Sequence, residues 1–375
     1  MTRPTLLRAA FVCLALLVAA AVAVALSWPA PPRASRVRTD AVTTNADGDP
    51  LVSTFSIVAV DTTTGEMGVA VQSKFPNVRA VVPWADPAAG AVATQSFARL
   101  DYGRTGLVLM RNGASAEEAL RILIRQDPHP EQRQVGIVDR HGRAATWTGA
   151  EASEWRGGRV GQADGSVRTA AAGELVAGQT FTVQGNILVS EATVDAMARA
   201  FEAARGSLAS RLLAALVAGG AAGGDRRGEQ SAALFVVRAG AGYDASDTIV
   251  DISVYDHPTP IAELVHLYAL NDLYFTDTQA RNLVPVTPAI AREIQAIWRA
   301  RGFSHHAADG AVDADFQRTL ARYMGWENYD LRVDEVERVN LAAGETLQID
   351  REVLADIRDV FQNGRFKPGP LAPLP

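Results

Sequence analysis

The spacing of apolar and polar positions predicts a long region of short strands and paired helices, followed by a shorter helical tail. Apolar runs at 55–60 and 67–73 flank Asp61–Gly65, a pattern typical of a β-hairpin. Other runs alternate with period two, whereas segments with a three-to-four-residue period predict helices. The further predicted strands are 79–84, 90–96, 134–139, 144–147, 181–189, 231–237 and 249–255. The predicted helices begin after Ser115, cover 194–204 and 208–217, and run from Pro258 or Ile261 to about Leu273.

Strands that follow one another directly, with helices inserted in pairs, favour antiparallel sheets with helices on their outer faces over a doubly wound parallel fold. The pattern fades from 271 to 288, where we expect a domain boundary. The sequence therefore predicts an α+β domain at 53–275 and a small, mainly α-helical domain at 284–366. Three helices are expected in the second domain, at 289–300, 313–324 and 350–361, and residues 367–375 are expected to form a disordered tail.

The N-terminus predicts export. Arg3 and Arg8 precede an apolar run at 9–26, so residues 1–28 form either a signal peptide or an uncleaved membrane anchor. Residues 29–52 are polar and proline-rich and are interpreted as a linker or a removable pro-segment. The expected location is the periplasm, the cell envelope or the extracellular space.

Composition removes several classes of chemistry. With 48% apolar residues, 21% charged residues and a net charge of -6, neither a disordered polyelectrolyte nor a nucleic-acid binder is expected. The single cysteine, Cys13, lies in the N-terminal apolar run, which excludes disulfides, a thiolate nucleophile and cysteine-ligated zinc from the exported part. The motifs of P-loop nucleotidases, zincins and G-x-S-x-G esterases are absent, and the six histidines form no ligand pair. No metal and no cofactor are therefore predicted.

Two single residues are catalytic candidates. Among 36 basic residues only Lys74 and Lys367 are lysines, so Lys74 is the one amine side chain in the main domain, and a lysine can be desolvated to a lower pKa. Thr54 is by default a strand residue. If the chain were cut at Ser53–Thr54, however, the new α-amine would have a pKa of about 8 and could act as the base for the threonine hydroxyl.

Two polar clusters supply further candidates. The glycine-flanked segment 223–231 is either a helix-to-strand turn or a site, and the segment 184–186 places two amides around a strand glycine. The residues that these clusters contribute are Asp225 to orient an amine, Ser231 to relay a proton, Asn186 to donate to an oxyanion, and Gln184, Arg227 and Gln230 to contact substrate.

The segments STFSIVAVDTTTGEMGVAVQSKF, VVPWADPAAGAVATQS, VQGNIL, GGDRRGEQSAAL and DHP together resemble the bacterial family of unknown function 1028, which is placed in the N-terminal-nucleophile (Ntn) hydrolase superfamily. The resemblance covers about 53–272. It implies a four-layer α-β-β-α sandwich with two antiparallel sheets. It also implies amide hydrolysis by Thr54, exposed through self-processing or a protease, with Lys74 similar to the lysine beside the nucleophile in proteasome-type relatives.

The tail is similar to a peptidoglycan-binding domain appended to some members of that family, through Ile290, Ile294-Gln295, Trp298, Gly302-Phe303, Asp309-Gly310 and Gly325–Asn328. The resulting hypothesis is an exported Ntn-type amidohydrolase that acts on a peptide or small-molecule amide and binds the cell wall through 284–366. The alternative is a non-catalytic Ntn-like envelope binding protein in which Thr54 is never freed. Both hypotheses are compatible with a homo-oligomer.

Overall fold

The computed structural model describes residues 44–46, 48–305 and 307–363. The chain divides into two units between Leu51 and Val52. The predicted signal peptide or anchor and the predicted tail at 367–375 lie outside the described residues, as does most of the predicted pro-segment. Among the residues that are described, no helix is both long and apolar enough to cross a membrane.

The chain folds into an α+β structure with two large antiparallel sheets and, in the described residues, nine α-helices. The strands are β1 (Leu51–Val52), β2 (Thr54–Asp61), β3 (Glu66–Ser73), β4 (Pro83–Asp86), β5 (Gly90–Phe97), β6 (Arg133–Asp139), β7 (Arg143–Thr148), β8 (Gly157–Gly161), β9 (Val167–Ala170), β10 (Leu175–Gln179), β11 (Phe181–Gly185), β12 (Ser231–Val237), β13 (Thr248–Val254), β14 (Leu283–Pro285) and β15 (Gln348–Asp350). The helices are α1 (Leu100–Arg111), α2 (Ala116–Gln126), α3 (Ala192–Ala203), α4 (Leu208–Ala221), α5 (Pro260–Phe275), α6 (Pro288–Ala300), α7 (Ala314–Trp326), α8 (Asp334–Glu337) and α9 (Arg351–Asn363).

The first sheet has the strand order β1-β5-β6-β7-β10, with β4 also paired to β5. The second sheet has the order β13-β12-β3-β2-β11-β8-β9. The hairpin β2–β3 lies at its centre, and the side chain of Asp61 accepts from the amides of Thr63 and Thr64 to fix the turn. The register of this hairpin places Thr54 directly opposite Ser73 at its open end.

Alternation along β2 explains how the layers form. Phe55 and Ile57 point to a cluster shared with α3, α4 and α5, whereas Val58 and Val60 point to a second cluster shared with β5, β6, β7 and β10. The first sheet meets α1 and α2 through a third cluster, which contains Val92 and Ile137. Each fully buried aliphatic or aromatic side chain contributes about 1.5–3 kcal/mol, so these layers are the main source of stability.

The helix α2 confirms its sequence signal, because Ser115 and Glu118 form a reciprocal capping box. The strand predicted at 79–84 is wrong in its bounds, since a 3-10 turn covers Val78–Ala80 and β4 begins only at Pro83. The helix α1 was not predicted, because Gly103 and Gly106 lower its helix propensity.

The tail packs around the fully buried Trp298, which contacts Phe303, Phe316 and Tyr323. Its helices α6, α7 and α9 agree with the predicted ones, and the short pair β14–β15 was not predicted. Leu273 of α5 belongs to the same apolar cluster. The tail therefore shares its core with α5, and the predicted separation into two domains near 280 stays a prediction.

Candidate functional site

Thr54 lies at the first position of β2 and is completely buried. Its hydroxyl donates to the carbonyl of Val52 at 2.6 Å. Its own carbonyl accepts from the backbone amide of Asn186 at 3.0 Å and from Nε2 of Gln95 at 3.3 Å. In the uncut chain the Thr54 nitrogen is an amide, so the hydroxyl has no adjacent base.

The carbonyl of Ser53, just before Thr54, receives two side-chain donors. The hydroxyl of Ser73 donates to it at 2.5 Å and Nη2 of Arg227 donates at 3.3 Å. Arg227 is itself held by Asp225, whose buried carboxylate accepts from Nε at 3.1 Å and from Nη2 at 2.7 Å. The Ser53–Thr54 peptide bond therefore has a hydroxyl and a guanidinium directed at its oxygen.

A fully buried group of amides adjoins Thr54 between the two sheets. Gln134 is its hub, because Oε1 accepts from Gln95 and Asn186, both at 2.8 Å, while Nε2 donates to the carbonyl of Gly185 at 2.8 Å. At the other end, Ser56 donates to Gln95 at 2.7 Å and accepts from Gln184 Nε2 at 2.6 Å. We call Ser56, Gln95, Gln134, Gln184 and Asn186 the amide cluster.

Several oxygens and nitrogens here lack a hydrogen-bond partner within the part of the chain that the structure describes. They are Oδ1 of Asn186, Oε1 of Gln184, both amide atoms of Gln72 and the hydroxyl of Ser53. Buried polar atoms without partners are costly and uncommon, and they mark strain, ligand contacts or bound water. The region around Thr54 thus keeps unused hydrogen-bonding capacity.

Three predicted site residues make their contacts elsewhere. Lys74 is exposed, and its amine donates to the carbonyl of Glu229 at 3.4 Å, while burial raises the pKa of the Glu229 carboxyl. Ser231 donates to the carbonyl of Phe75 and accepts from the backbone amide of Val78. Gln230 donates to the carboxylate of Asp256. These three side chains connect loops in the uncut chain.

The structure thus brings Thr54, Asn186, Gln184, Asp225 and Arg227 into one connected region. Sequence reasoning missed Ser73, Gln95 and Gln134, which complete it. For Gln95 and Gln134 the sequence offered one signal, a glutamine within a predicted strand. A buried amide needs hydrogen-bond partners, and only the tertiary structure shows which residues these are.

The described residues contain no group of three or more side chains suited to a metal ion. Two cavities of about 500 and about 520 Å³ lie away from Thr54, beside α5 and its C-terminal end. Tyr243 and Phe275 line both of them. Neither cavity is lined by a residue of the amide cluster.

The sequence profile of a family of unknown function, DUF1028, matches residues 54–264, which is more than half of the chain. The chain belongs to the DUF1028 family. The match begins at Thr54 and ends within α5. No curated protein matches significantly.

Among solved structures, the chain is similar to protein SPO2555 from Silicibacter pomeroyi, whose crystal structure is described as a DUF1028 family member. The two chains share 29% identity with a TM-score of 0.50, and the similarity covers 59% of this chain and 89% of that one. The resemblance to this family in the sequence is thereby confirmed, and the family's own function is unknown.

Proposed function

We propose that this DUF1028 protein is an Ntn-type amidohydrolase whose nucleophile is Thr54, exposed by removal of the preceding segment. The observation that carries the proposal is the position of Thr54, which is the first residue of both the central strand β2 and the family match. A threonine freed there would join its own α-amine to its hydroxyl at a buried polar site.

The layers of the fold support the same proposal. Helices cover one face of each large sheet, and the two remaining faces pack on each other. We take this arrangement as the four-layer α-β-β-α sandwich of the Ntn superfamily. In such a sandwich the nucleophile would be the first residue of a central strand. Thr54 occupies that position in β2, next to the amide cluster.

The proposed reaction is hydrolysis of an amide bond. The Thr54 hydroxyl would attack the substrate carbonyl, its α-amine would carry the proton to the leaving nitrogen, and water would release the acyl group. The backbone amide of Asn186 donates to the Thr54 carbonyl, so Asn186 adjoins the proposed nucleophile and would be the donor to the oxyanion. Lys74 would need to move from Glu229 to take part.

A covalent probe tests the enzyme hypothesis. An acylating β-lactone should label Thr54 in chain that begins at Thr54, and it should label neither the uncut chain nor a Thr54→Ala variant. N-terminal sequencing of protein from the native envelope supplies the second measurement. A chain that begins near Leu26 and never at Thr54 would contradict the proposal.

The uncut state favours a second candidate, a non-catalytic envelope binding protein. Thr54 is fully buried there, its nitrogen is an amide, and the amine of Lys74 faces Glu229. A binding protein of this kind would keep an intact N-terminal segment in the envelope and would show no labelling by the lactone.

We further propose export and binding to peptidoglycan through the tail. Trp326 is 51% exposed and contacts Phe303, so it offers an aromatic surface for a sugar or peptide. In cosedimentation of the full chain with purified peptidoglycan, Trp326→Ala should reduce the bound fraction. The matched control Trp84→Phe, in the other half of the chain, should bind as wild type, and equal binding by all three proteins would exclude this surface.

A further inference from the structure

The cavity of about 500 Å³ beside α5 has the size and lining of a site for a small molecule. Val236 of β12 and Ile249 and Val250 of β13 contribute an apolar surface to it. The last turns of α5 and the loop between β12 and β13 supply much of the remaining lining. A cavity of this volume holds an organic molecule rather than a single ion.

Two aromatic rings line this cavity and remain largely open to solvent. Tyr243 is 57% exposed and Phe275 is 52% exposed. Their ring centroids are 5.9 Å apart and the ring planes meet at 81°, which is an edge-to-face arrangement. The face of an aromatic ring attracts a cation that lies within about 6 Å of its centre. Among the described residues no guanidinium lies over either ring, so this capacity is unused by the fold.

The charge of the cavity is negative. Among the described residues that line it, the carboxylates are Glu66, Asp244, Asp272 and Asp277, and Arg238 is the only cation. Arg238 already pairs with Glu66, since a guanidinium nitrogen lies 3.3 Å from that carboxylate. The other three carboxylates have neither an ion pair nor a hydrogen bond within the part of the chain that the structure describes. A molecule that enters this cavity is therefore favoured by a positive charge.

Asp272 is the carboxylate whose charge is least favourable for the fold. It is half-buried, and burial together with the negative charge of Glu352 raises the pKa of its carboxyl. The nearby guanidinium of Arg332 compensates only in part, because it is bound to Asp350 and to backbone carbonyls of α5. A half-buried carboxylate without a counter-ion costs stability, and a bound cation would supply the missing charge.

We propose that this cavity binds a small organic cation, with its ammonium group between Asp272 and the rings of Tyr243 and Phe275 and its apolar body on the surface of β12 and β13. A neutral molecule would leave Asp272 without a counter-ion, and an anion would be repelled by the unpaired carboxylates. A metal ion is not indicated, since the described residues offer no group of three or more side chains suited to one. The proposal does not depend on the function proposed for Thr54.

Isothermal titration calorimetry of the full chain tests this proposal with 4-phenylbutylammonium, 4-phenylbutanol and 4-phenylbutyrate, which share one shape and differ in charge. The ammonium should bind, the alcohol should bind at least about 10-fold more weakly, and the carboxylate should not bind. Asp272→Asn and Phe275→Leu should each weaken binding of the ammonium about 10-fold. The matched control Asp101→Asn, at an exposed carboxylate of α1 outside this cavity, should bind it as wild type does.

A stability measurement separates loss of the contact from loss of the fold. Asp272→Asn keeps the shape of the side chain and removes an uncompensated charge, so its melting temperature should equal or exceed that of wild type. A lower melting temperature would instead assign Asp272 to the fold and count against the proposal. Equal binding of the three probes would overturn it, as would equal affinity of wild type and Asp272→Asn for the ammonium, or a wild type that binds no probe.

An amine on a peptide side chain has the same chemistry as a free amine, and N-acetyl-lysine methylamide distinguishes the two sources. It should bind more weakly than 4-phenylbutylammonium, because its linear side chain covers less of the apolar surface. Tighter binding would reject a free amine as the ligand. Labelling of Thr54 by the lactone does not involve this cavity, so the outcome of that experiment and the outcome of this one are independent.

Discussion

Replacing Gln134 by methionine should destabilise the fold strongly, although the two side chains have nearly the same shape. Gln134 is completely buried. Its side-chain amide forms hydrogen bonds with Gln95, Asn186, Thr148 and the carbonyl of Gly185. A methionine would fill the space but supply none of these hydrogen bonds. The substitution therefore measures the effect of losing these hydrogen bonds separately from any change in packing.

The magnitude follows from the groups left behind. Gln95 keeps its bonds to Thr54 and Gln184, so it loses only part of its partners. Asn186 loses the one side-chain partner of its Nδ2, while its Oδ1 already has none, and the Thr148 hydroxyl loses its donor. Each buried group without a partner costs about 1–3 kcal/mol, so Gln134→Met should lower the free energy of unfolding by about 4 kcal/mol.

Equilibrium urea denaturation, followed by tryptophan fluorescence, measures this free energy. The matched control is Gln126→Met at the exposed end of α2, which should lie within about 0.5 kcal/mol of wild type. If Gln134→Met also lies within that range, the amide cluster does not support the fold, and the argument from unsatisfied groups is refuted.

Two further predictions concern the first sheet and its helices. Burial raises the pKa of the Asp127 carboxyl, but hydrogen bonds from Arg133 and from the His129 amide outweigh it and hold the pKa below its usual range. The stabilisation by the Asp127 carboxylate is therefore complete above the usual pKa of about 4 and is lost as the pH falls through the lower folded pKa. Asp127→Asn should lower the free energy of unfolding by about 3 kcal/mol at pH 7 and by less at pH 3, as measured by urea denaturation. An equal loss at both pH values would contradict this. Gly103→Ala places a Cβ 2.3 Å from the ring of Trp84 and should lower the melting temperature, whereas Gly106→Ala, with nearest contacts of 3.4 Å in the same helix, should leave it unchanged or raise it; equal shifts for both would contradict the packing argument.

Several strands of the second sheet could be predicted because each is a nearly uninterrupted apolar run, as in 55–60 and 231–237. The helix α1 could not, because Gly103 is there for contact with Trp84, a tertiary reason that local propensity does not contain. The three strands in 157–179 were also missed, since glycines and polar residues break their period.

For the candidate site, the sequence predicted Thr54, because it starts a strand, and four residues in glycine-containing segments, namely Gln184, Asn186, Asp225 and Arg227. It singled out Lys74 by its rarity and linked it to the nucleophile through the family resemblance, whereas in the uncut chain the amine donates to the carbonyl of Glu229. It missed Ser73, since a serine at a strand end is unremarkable until the register places it opposite Thr54. The pairing of β2 with β3 determines which residues lie beside Thr54, and the local sequence gives no indication of that pairing.

The near absence of lysine gives the molecule an unusual chemical property. A chain that begins at Thr54 carries only three amines, namely its α-amine, the exposed Lys74 and Lys367. At neutral pH a larger fraction of a free α-amine than of an ordinary amine side chain is unprotonated and able to react. An amine-selective reagent at that pH should therefore place a dye or a tether almost exclusively on the proposed catalytic residue.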